Sequence, residues 1–274
     1  MEKILFISNG IDLNMEALDF TCYLGSLTRS RVTGIFLENL LEDAKPILER
    51  VSGHLISDSE NKAYEEKKKI TANNIRRFEE ACARRSIRAE VTEDFGIPPG
   101  EILLESRYAD LAVISPEISF ENQLEALPTN FVKRFMEKSE CPVVIAPQSC
   151  REIQEIVFTY NGTASSVYAI KQFTYLFPHL SDIKVTILGV NGKDLTEKEK
   201  EQFRGWLLNH YNAIGFEFLS GNPEAELFKW LQKRKNAFIT MGAYGRSVVS
   251  QLFRRSTAEL LIQTLPQPIF ITHY

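Results

Sequence analysis

Several motifs that would identify an enzyme or a metal protein are missing from this sequence. It contains no Gly-x-Ser-x-Gly nucleophile motif and no Gly-x-x-x-x-Gly-Lys-Ser/Thr phosphate loop. Its four histidines are scattered, and none is paired with another at the i,i+4 spacing of a helical metal site. Because no set of acid, base and nucleophile is recognisable, we predict no catalytic residue and no metal site.

Cysteine pairs and long apolar runs are missing as well. The four cysteines form no Cys-x-x-Cys pair, so reduced thiols in a cytoplasmic compartment are the expectation. No apolar run approaches the roughly 20 residues that a transmembrane helix requires. The first residues do not resemble a secretory signal. We therefore expect a soluble, cytoplasmic protein that does not contact a membrane.

Neither sign of charge dominates the chain. The sequence has 32 Lys and Arg residues against 36 Asp and Glu residues, a formal net charge of −4. A protein that neutralises nucleic-acid phosphates normally carries a clustered basic surplus, so we expect no nucleic-acid partner. The length of 274 residues suits one large or two small domains, at roughly 150 residues per domain.

Short β-rich segments alternate with amphipathic segments, which predicts βαβ units around parallel sheets. The predicted strands of the first half are Ile4–Ser8, Arg31–Leu37, Arg88–Asp94, Leu111–Ser115 and Val143–Ala146. Those of the second half are Ile156–Tyr160, Lys184–Val190, Phe216–Ser220, Ala237–Met241 and Ile269–Thr272. A long polar segment, residues 60–85, mixes Lys and Arg with Glu, which predicts a solvated helix with i,i+4 ion pairs.

The order of elements repeats in the two halves. Cys141–Ile145 recurs 126 residues later as Gln267–Ile271, whereas Ile4–Phe6 recurs 152 residues later as Ile156–Phe158. The difference indicates an insertion of about 26 residues in the first half. The predicted organisation is two homologous domains, residues 1–148 and 152–274, with the insertion at about residues 38–59.

The insertion is too apolar for a plain linker, since it contains Leu40, Leu41 and Ile47 among other apolar residues. We expect it to be helical in part. Two placements remain open: it covers a sheet edge or forms a contact surface, or it folds as a loop onto its own domain.

One constellation of residues indicates a binding site. Gly242 and Gly245 follow a predicted strand, and nine residues separate Gly245 from an Arg-Ser-Thr sequence that begins the next predicted helix. Glycines after a parallel strand let backbone N–H groups approach an anion, and hydroxyls at a helix N-terminus favour phosphate. The carboxyl edge of an open α/β sheet is where ligands bind. The structural alternative is that the glycines form a turn and that Ser256 or Thr257 caps the helix.

Matching segments in both halves carry a resemblance to a known family. The first-half segment Ile4–Gly10 matches Ile156–Thr163 in the second half. In the same way, Ala109–Ile114 matches Ala237–Gly242, and Cys141–Ile145 matches Gln267–Ile271. In these segments the chain resembles the universal stress protein family in a tandem, two-domain form. The resemblance implies an α/β fold of two repeated domains, each a five-stranded parallel sheet flanked by helices, similar to the Rossmann and adenine nucleotide alpha hydrolase folds. It also implies a cytoplasmic stress-response factor.

The nucleotide-binding branch of this family carries Gly-x2-Gly-x9-Gly-Ser/Thr. Gly242, Gly245 and Ser256 match this motif with the spacing kept, but Arg255 replaces the third glycine. A guanidinium at this position either blocks a phosphate or supplies positive charge to it. The resemblance implies that ATP or a related adenine nucleotide binds in the second domain. The predicted nucleotide-binding residues are Asn161, Val190, Gly242, Gly245, Arg255, Ser256 and Thr257.

Two departures from the family limit what the resemblance implies. The acidic residue that ends the first strand of ATP-binding members is Asn9 in the first half and Asn161 in the second. Asparagine lacks the full charge that holds a metal ion, so Mg²⁺ is expected only together with a nucleotide. The first half lacks the glycines, and its Glu117 and Glu121 would repel phosphate, so we predict a degenerate first domain without nucleotide.

The functional alternatives follow from these departures. An interaction module of the same fold, with no physiological nucleotide, is the alternative to a nucleotide-binding stress protein. The sequence leans against an enzyme but leaves slow ATP hydrolysis open.

Because exposed sheet edges are normally covered, we expect the two domains of the chain to pair through their last strands, as single-domain relatives do in a homodimer. We also expect two chains to form a homodimer.

Overall fold

The computed structural model describes most of the chain. The described residues are 1–37, 58–94, 98–121, 124–149, 152–190, 196–242 and 255–272. The chain divides into two compact units. The first unit consists of Met1–Glu125 and Thr129–Cys141, and the second unit consists of Ala126–Pro128 and Pro142–Tyr274. The predicted insertion, apart from the two residues that begin a helix at Asp58, lies outside the described residues.

The described residues of the first unit form four parallel strands and four helices. The strands are β1 (Lys3–Asn9), β2 (Arg31–Leu37), β3 (Ala89–Asp94) and β4 (Leu111–Ile114). The helices are α1 (Met15–Thr28), α2 (Asp58–Ala83), α3 (Pro98–Ser106) and α4 (Asn130–Lys138). The strand order β3-β2-β1-β4 places β1 between β2 and β4, so the order reverses beside β1.

The second unit repeats this plan and adds strands at one side. Its strands are β5 (Val143–Ile145), β6 (Glu155–Tyr160), β7 (Lys184–Val190), β8 (Ile214–Leu219), β9 (Ala237–Gly242) and β10 (Ile269–Thr272). Its helices are α5 (Ala164–Leu176), α6 (Glu197–Leu207), α7 (Pro223–Gln232) and α8 (Arg255–Thr264). The order is β5-β10-β9-β6-β7-β8. All neighbours pair in parallel except β5, which runs antiparallel to β10 with Val144 opposite Phe270.

Stacked phenylalanine rings fill the core of the first unit. The ring of Phe78, on α2, lies parallel to that of Phe6 at 5.8 Å and edge-on to that of Phe36 at 5.7 Å. Gly34 makes room for them, because a Cβ at this position would lie 2.9 Å from the Phe36 ring and 3.0 Å from the Phe78 ring. The glycine in the middle of β2 therefore serves close packing between the sheet and α2.

The core of the second unit is centred on one phenylalanine of α5. Phe173 is fully buried, and its ring centroid lies between 4.8 and 5.4 Å from those of four other rings. These rings belong to Phe158, Phe177, Phe238 and Phe270. Because Phe158, Phe238 and Phe270 come from three neighbouring strands, Phe173 holds α5 against the middle of the sheet.

The long polar helix predicted at residues 60–85 is α2. One face is solvated and carries an i,i+4 ion pair between Arg76 and Glu80, one pair of the predicted kind. The opposite face is a buried stripe that includes Thr71, Asn74 and Phe78. Among the helices that the structure describes, α2 included, none is long and apolar enough to cross a lipid bilayer.

Candidate functional site

The carboxyl edge of the second sheet brings three of the predicted residues together. The strand order reverses beside β6, which lies between β7 and β9, and ligands bind at such switch points of open α/β sheets. The last pair of β6 with β7 is Tyr160–Gly189, so Asn161 and Val190 follow next to each other at this edge. Gly242 ends β9 on the other side of β6.

Asn161 has a buried side chain whose amide donor has no partner in the part of the chain that the structure describes. Its exposed fraction is 9%. Its Oδ1 accepts hydrogen bonds from the Thr163 backbone N–H at 3.1 Å and from the Thr163 hydroxyl at 2.6 Å. Its Nδ2 is buried and donates to no acceptor among the described residues. Since an unsatisfied buried donor costs about 1–3 kcal/mol, a ligand acceptor at this edge would relieve it.

Gly242 allows α5 to approach the end of β9. A Cβ at this position would lie 2.5 Å from the carbonyl oxygen of Ser165 and 3.0 Å from the Cα of Ser166. Both atoms belong to the backbone of the first turn of α5, so no side-chain rotation could relieve the contact. This packing role differs from the backbone contact with phosphate that the glycine motif predicts. The close approach of α5 to Gly242 brings the N-terminus of the helix to the edge where Asn161 lies.

Thr257 is less well placed for a phosphate than the sequence predicts. Thr257 is buried at the start of α8, and its hydroxyl donates to Oε1 of Glu224 at 3.0 Å. This bond commits the hydroxyl proton to a carboxylate, and a carboxylate near a bound phosphate is unfavourable. Arg255 and Ser256 begin α8, but their side chains lie outside the described part of the chain, as does all of Gly245.

A cavity of about 790 Å³ lies at the corresponding edge of the first sheet. The ends of β1 and β2 and the residue after β4 contribute Asn9, Leu37 and Ser115 to its lining. Helix α2 contributes Thr71 and Asn74. The volume is within the range of about 300–1,000 Å³ that is typical of small-molecule sites.

Opposite charges line this cavity. Lys67 and Arg77 supply two cations, and Asp12, Glu117 and Glu121 supply three carboxylates. A phosphate group would therefore meet a small excess of negative charge, as the sequence predicts for Glu117 and Glu121. Within the described residues of the chain, no group of three or more His, Cys, Asp or Glu side chains is arranged to hold a metal ion.

Two polar residues of the cavity are absent from the predicted set. Asn74 is 3% exposed, and its Nδ2 donates to the carbonyls of Gly10 and Ile11, at 2.9 Å in each case. The hydroxyl of Thr71 is buried and has no partner among the described residues. The spacing of Thr71, Asn74 and Phe78 follows one face of a helix, which is the signal in the sequence that could have identified them.

Thr163 connects the start of α5 to Asn161. Its hydroxyl accepts the N–H of Ser166 at 3.3 Å as the N-cap and donates to Asn161 Oδ1 at 2.6 Å. Because Thr163→Ala removes both bonds, we expect a loss of about 1–2 kcal/mol in the free energy of unfolding, measured by chemical denaturation. Thr163→Ser keeps the hydroxyl and should remain within about 0.5 kcal/mol of the wild type. An alanine variant as stable as the serine variant would show that this cap does not stabilise α5.

Solved structures match the chain over its whole length. A universal stress protein from Archaeoglobus fulgidus superposes with a TM-score of 0.70 over 99% of this chain and 98% of that chain, at 17% identity. The fold is that of a universal stress protein, repeated in tandem. A functionally unknown protein from Pseudomonas aeruginosa matches with a TM-score of 0.62 over 100% of this chain and 92% of that chain, at 14% identity. No family model matches the sequence, and no curated protein matches it.

The universal stress protein fold confirms the predicted fold class. The two units differ in the hydrogen bonds of the asparagine at the end of their first strand, which is Asn9 in the first unit and Asn161 in the second. In the first unit, Oδ1 of Asn9 accepts the N–H of Ile11 at 2.9 Å, and its Nδ2 donates to the carbonyl of Ser119 at 3.3 Å. Both ends of that amide are therefore used within the protein. At the equivalent position in the second unit, the Asn161 donor has no partner in the described ranges, so the two asparagines differ in their hydrogen bonding there.

Proposed function

We propose that this protein is a cytoplasmic universal stress protein that binds ATP or a related adenine nucleotide in its second unit and acts as a non-catalytic stress-response factor. The observation that carries the proposal is the buried Nδ2 of Asn161 at the strand switch point, which has no hydrogen-bond acceptor within the described part of the chain. The fold shared with universal stress proteins supports the family assignment. The association of two chains into a homodimer is part of the same proposal.

The residues at the edge suggest how a nucleotide would be held. Nδ2 of Asn161 would donate to an oxygen or ring nitrogen of the nucleoside, and the buried side chain of Val190 would supply an apolar contact. The phosphates would extend towards the N-terminus of α8, where the helix dipole and the positive charge of Arg255 favour anions. Mg²⁺ would enter only with the nucleotide, because Asn161 lacks the charge to hold it alone.

The first unit is the less suitable site for a nucleotide. The amide of Asn9 is used within the protein, and Glu117 and Glu121 both line the cavity. We therefore expect one nucleotide per chain rather than two.

A second candidate function is an interaction module without a physiological nucleotide. The hydrogen bond from Thr257 to Glu224 favours it, since it places a carboxylate beside a residue that the motif assigns to the phosphates. The two functions differ in whether the second unit has measurable affinity for ATP.

Substitution of Asn161 tests the proposal. Asn161→Leu removes the donor, so we expect the affinity for ATP to fall about tenfold or more, measured by isothermal titration calorimetry. The matched control is Asn9→Leu at the equivalent position of the first unit, which should leave the affinity for ATP unchanged. A wild-type protein with no ATP-dependent rise in Tm at millimolar nucleotide would favour the interaction module instead.

A further inference from the structure

Two cysteines face each other in the core of the first unit. The Sγ atoms of Cys22 and Cys82 are 3.9 Å apart, and both side chains are 0% exposed. Cys22 lies within α1, and Cys82 lies in the last turn of α2, 60 residues further along the chain. The pair therefore joins two helices that are distant in sequence, and nothing in the proposed nucleotide site uses it.

The surroundings make the two thiols chemically different. The hydrogen bond with Cys82 lowers the pKa of Cys22, against the opposing effect of burial, and the positive charge of Arg85 lowers it further. The same hydrogen bond, together with burial, raises the pKa of Cys82. The lowered pKa favours the thiolate at Cys22, and Cys82 is the thiol beside it, although either sulfur can be the donor in the 3.9 Å contact.

We propose that Cys22 and Cys82 form a redox-active dithiol that a peroxide converts into a disulfide between α1 and α2. The thiolate of Cys22 attacks one peroxide oxygen, the O–O bond breaks, and protonation of the leaving oxygen releases water and leaves a sulfenic acid on Cys22. Sγ of Cys82 then attacks the Cys22 sulfur, the S–S bond forms, and the hydroxyl leaves as a second water with the proton of Cys82. The two thiols lose two electrons, and the peroxide gains them.

The position of Cys82 gives a route by which an oxidant reaches the pair. Helix α2 ends at Ala83, one residue after Cys82, and Ser86 follows with a φ of 55° in the left-handed region. Helix ends open locally at a smaller free-energy cost than helix centres. A disulfide has an S–S distance of about 2.05 Å, so the two sulfurs must approach by about 1.9 Å from their present separation.

Oxidation would fix the two helices that form walls of the cavity in the first unit. Asn14, at the start of α1, and Asn74, on α2, both line that cavity. Each lies eight residues before the cysteine of its own helix. A covalent link between Cys22 and Cys82 would therefore limit how far these walls can separate.

Cys141 provides a matched control. It is buried like the pair, and burial raises its pKa to about 12. The hydroxyl of Ser139 lies 3.6 Å from its sulfur, and among the described residues no second thiol lies beside it. It should remain a thiol under conditions that oxidise Cys22 and Cys82.

The test exposes the reduced, full-length protein to hydrogen peroxide, blocks the remaining thiols by alkylation, and maps the peptides by mass spectrometry. We expect a cross-linked peptide pair containing Cys22 and Cys82, with the mass of two hydrogen atoms lost, and reversal by dithiothreitol. The Cys141→Ser variant should give the same product, whereas Cys22→Ala and Cys82→Ala should not. Recovery of both residues as alkylated thiols, or a disulfide that uses Cys141 or Cys150 instead, would overturn the proposal.

A second readout does not depend on the cysteine variants. The disulfide should raise the Tm of the wild-type protein by about 5 °C. It should also slow amide hydrogen exchange in α1 and α2 while leaving exchange in the second unit unchanged. A disulfide that forms without slowing exchange in either helix would contradict the restraint on the cavity walls. Because neither readout involves ATP, their failure is distinguishable from failure of the proposed nucleotide site.

Discussion

Replacing Phe173 by alanine is expected to lower the free energy of unfolding of the second unit by about 4 kcal/mol. The ring is fully buried against four other phenylalanines, three of them on neighbouring strands of one sheet. Paired strands cannot move separately into the space that the ring leaves, so a cavity remains and adds to the lost apolar burial. Chemical denaturation followed by tryptophan fluorescence isolates this unit, since the two tryptophans of the sequence, Trp206 and Trp230, both belong to it.

The control for this substitution is on the same helix. Lys171 is exposed on α5, and Lys171→Ala should change the free energy of unfolding by less than about 0.5 kcal/mol. A cost below about 1.5 kcal/mol for Phe173→Ala would mean that α5 does not pack on the sheet as described.

Replacing Gly242 by alanine should affect both stability and binding. The added Cβ would lie 2.5 Å from a backbone oxygen of α5, so the helix must shift away from β9. We expect a loss of about 2–3 kcal/mol in the free energy of unfolding of the second unit, which is typical of overpacking. Because Asn161 is oriented by Thr163 at the start of the same helix, the affinity for ATP should fall about tenfold or more.

Gly205→Ala is the matched control for the stability measurement. Gly205 lies inside α6, and an added Cβ would meet nothing within 4 Å. Alanine is the better helix former, so this variant should be more stable than the wild type by about 0.5–1 kcal/mol. Equal stability of the Gly242→Ala variant and the wild type would show that the end of β9 tolerates a side chain.

The strands with buried faces could be predicted closely from the sequence, because their apolar residues are continuous. The sequence predicts β7 with its observed bounds, Lys184–Val190. It predicts that β8 begins at Phe216, whereas the strand begins at Ile214. β8 is only half-buried along its length, and Gly215 interrupts the apolar pattern near its start. The sequence pattern therefore does not mark the residue at which the strand begins.

The grouping of Asn161, Val190 and Gly242 could be predicted because the carboxyl ends of parallel strands meet at one edge. The hydrogen bond between Thr257 and Glu224 could not, since it depends on how the starts of two separate helices lie relative to each other. The glycine motif also gave no indication that Gly242 packs against the backbone of α5. Sequence patterns locate positions along elements, but such contacts between elements depend on the packing.

The cavity of the first unit shows the same limit. Asn74 contacts the loop after β1 through the carbonyls of Gly10 and Ile11, more than 60 residues earlier in the chain. In the sequence it is one polar residue within a polar helix. Only the position of α2 on the sheet shows that the side chain is buried and lines a cavity.

Native mass spectrometry of the protein purified without added nucleotide, and then titrated with ATP, tests the central claim most directly. We expect one adenine nucleotide per chain, identified after denaturation, and for Gly242→Ala half-occupancy at an ATP concentration about tenfold or more higher than for the wild type. A wild-type chain that stays empty in millimolar ATP would contradict nucleotide binding. Two nucleotides per chain would contradict the assignment of the site to the second unit alone.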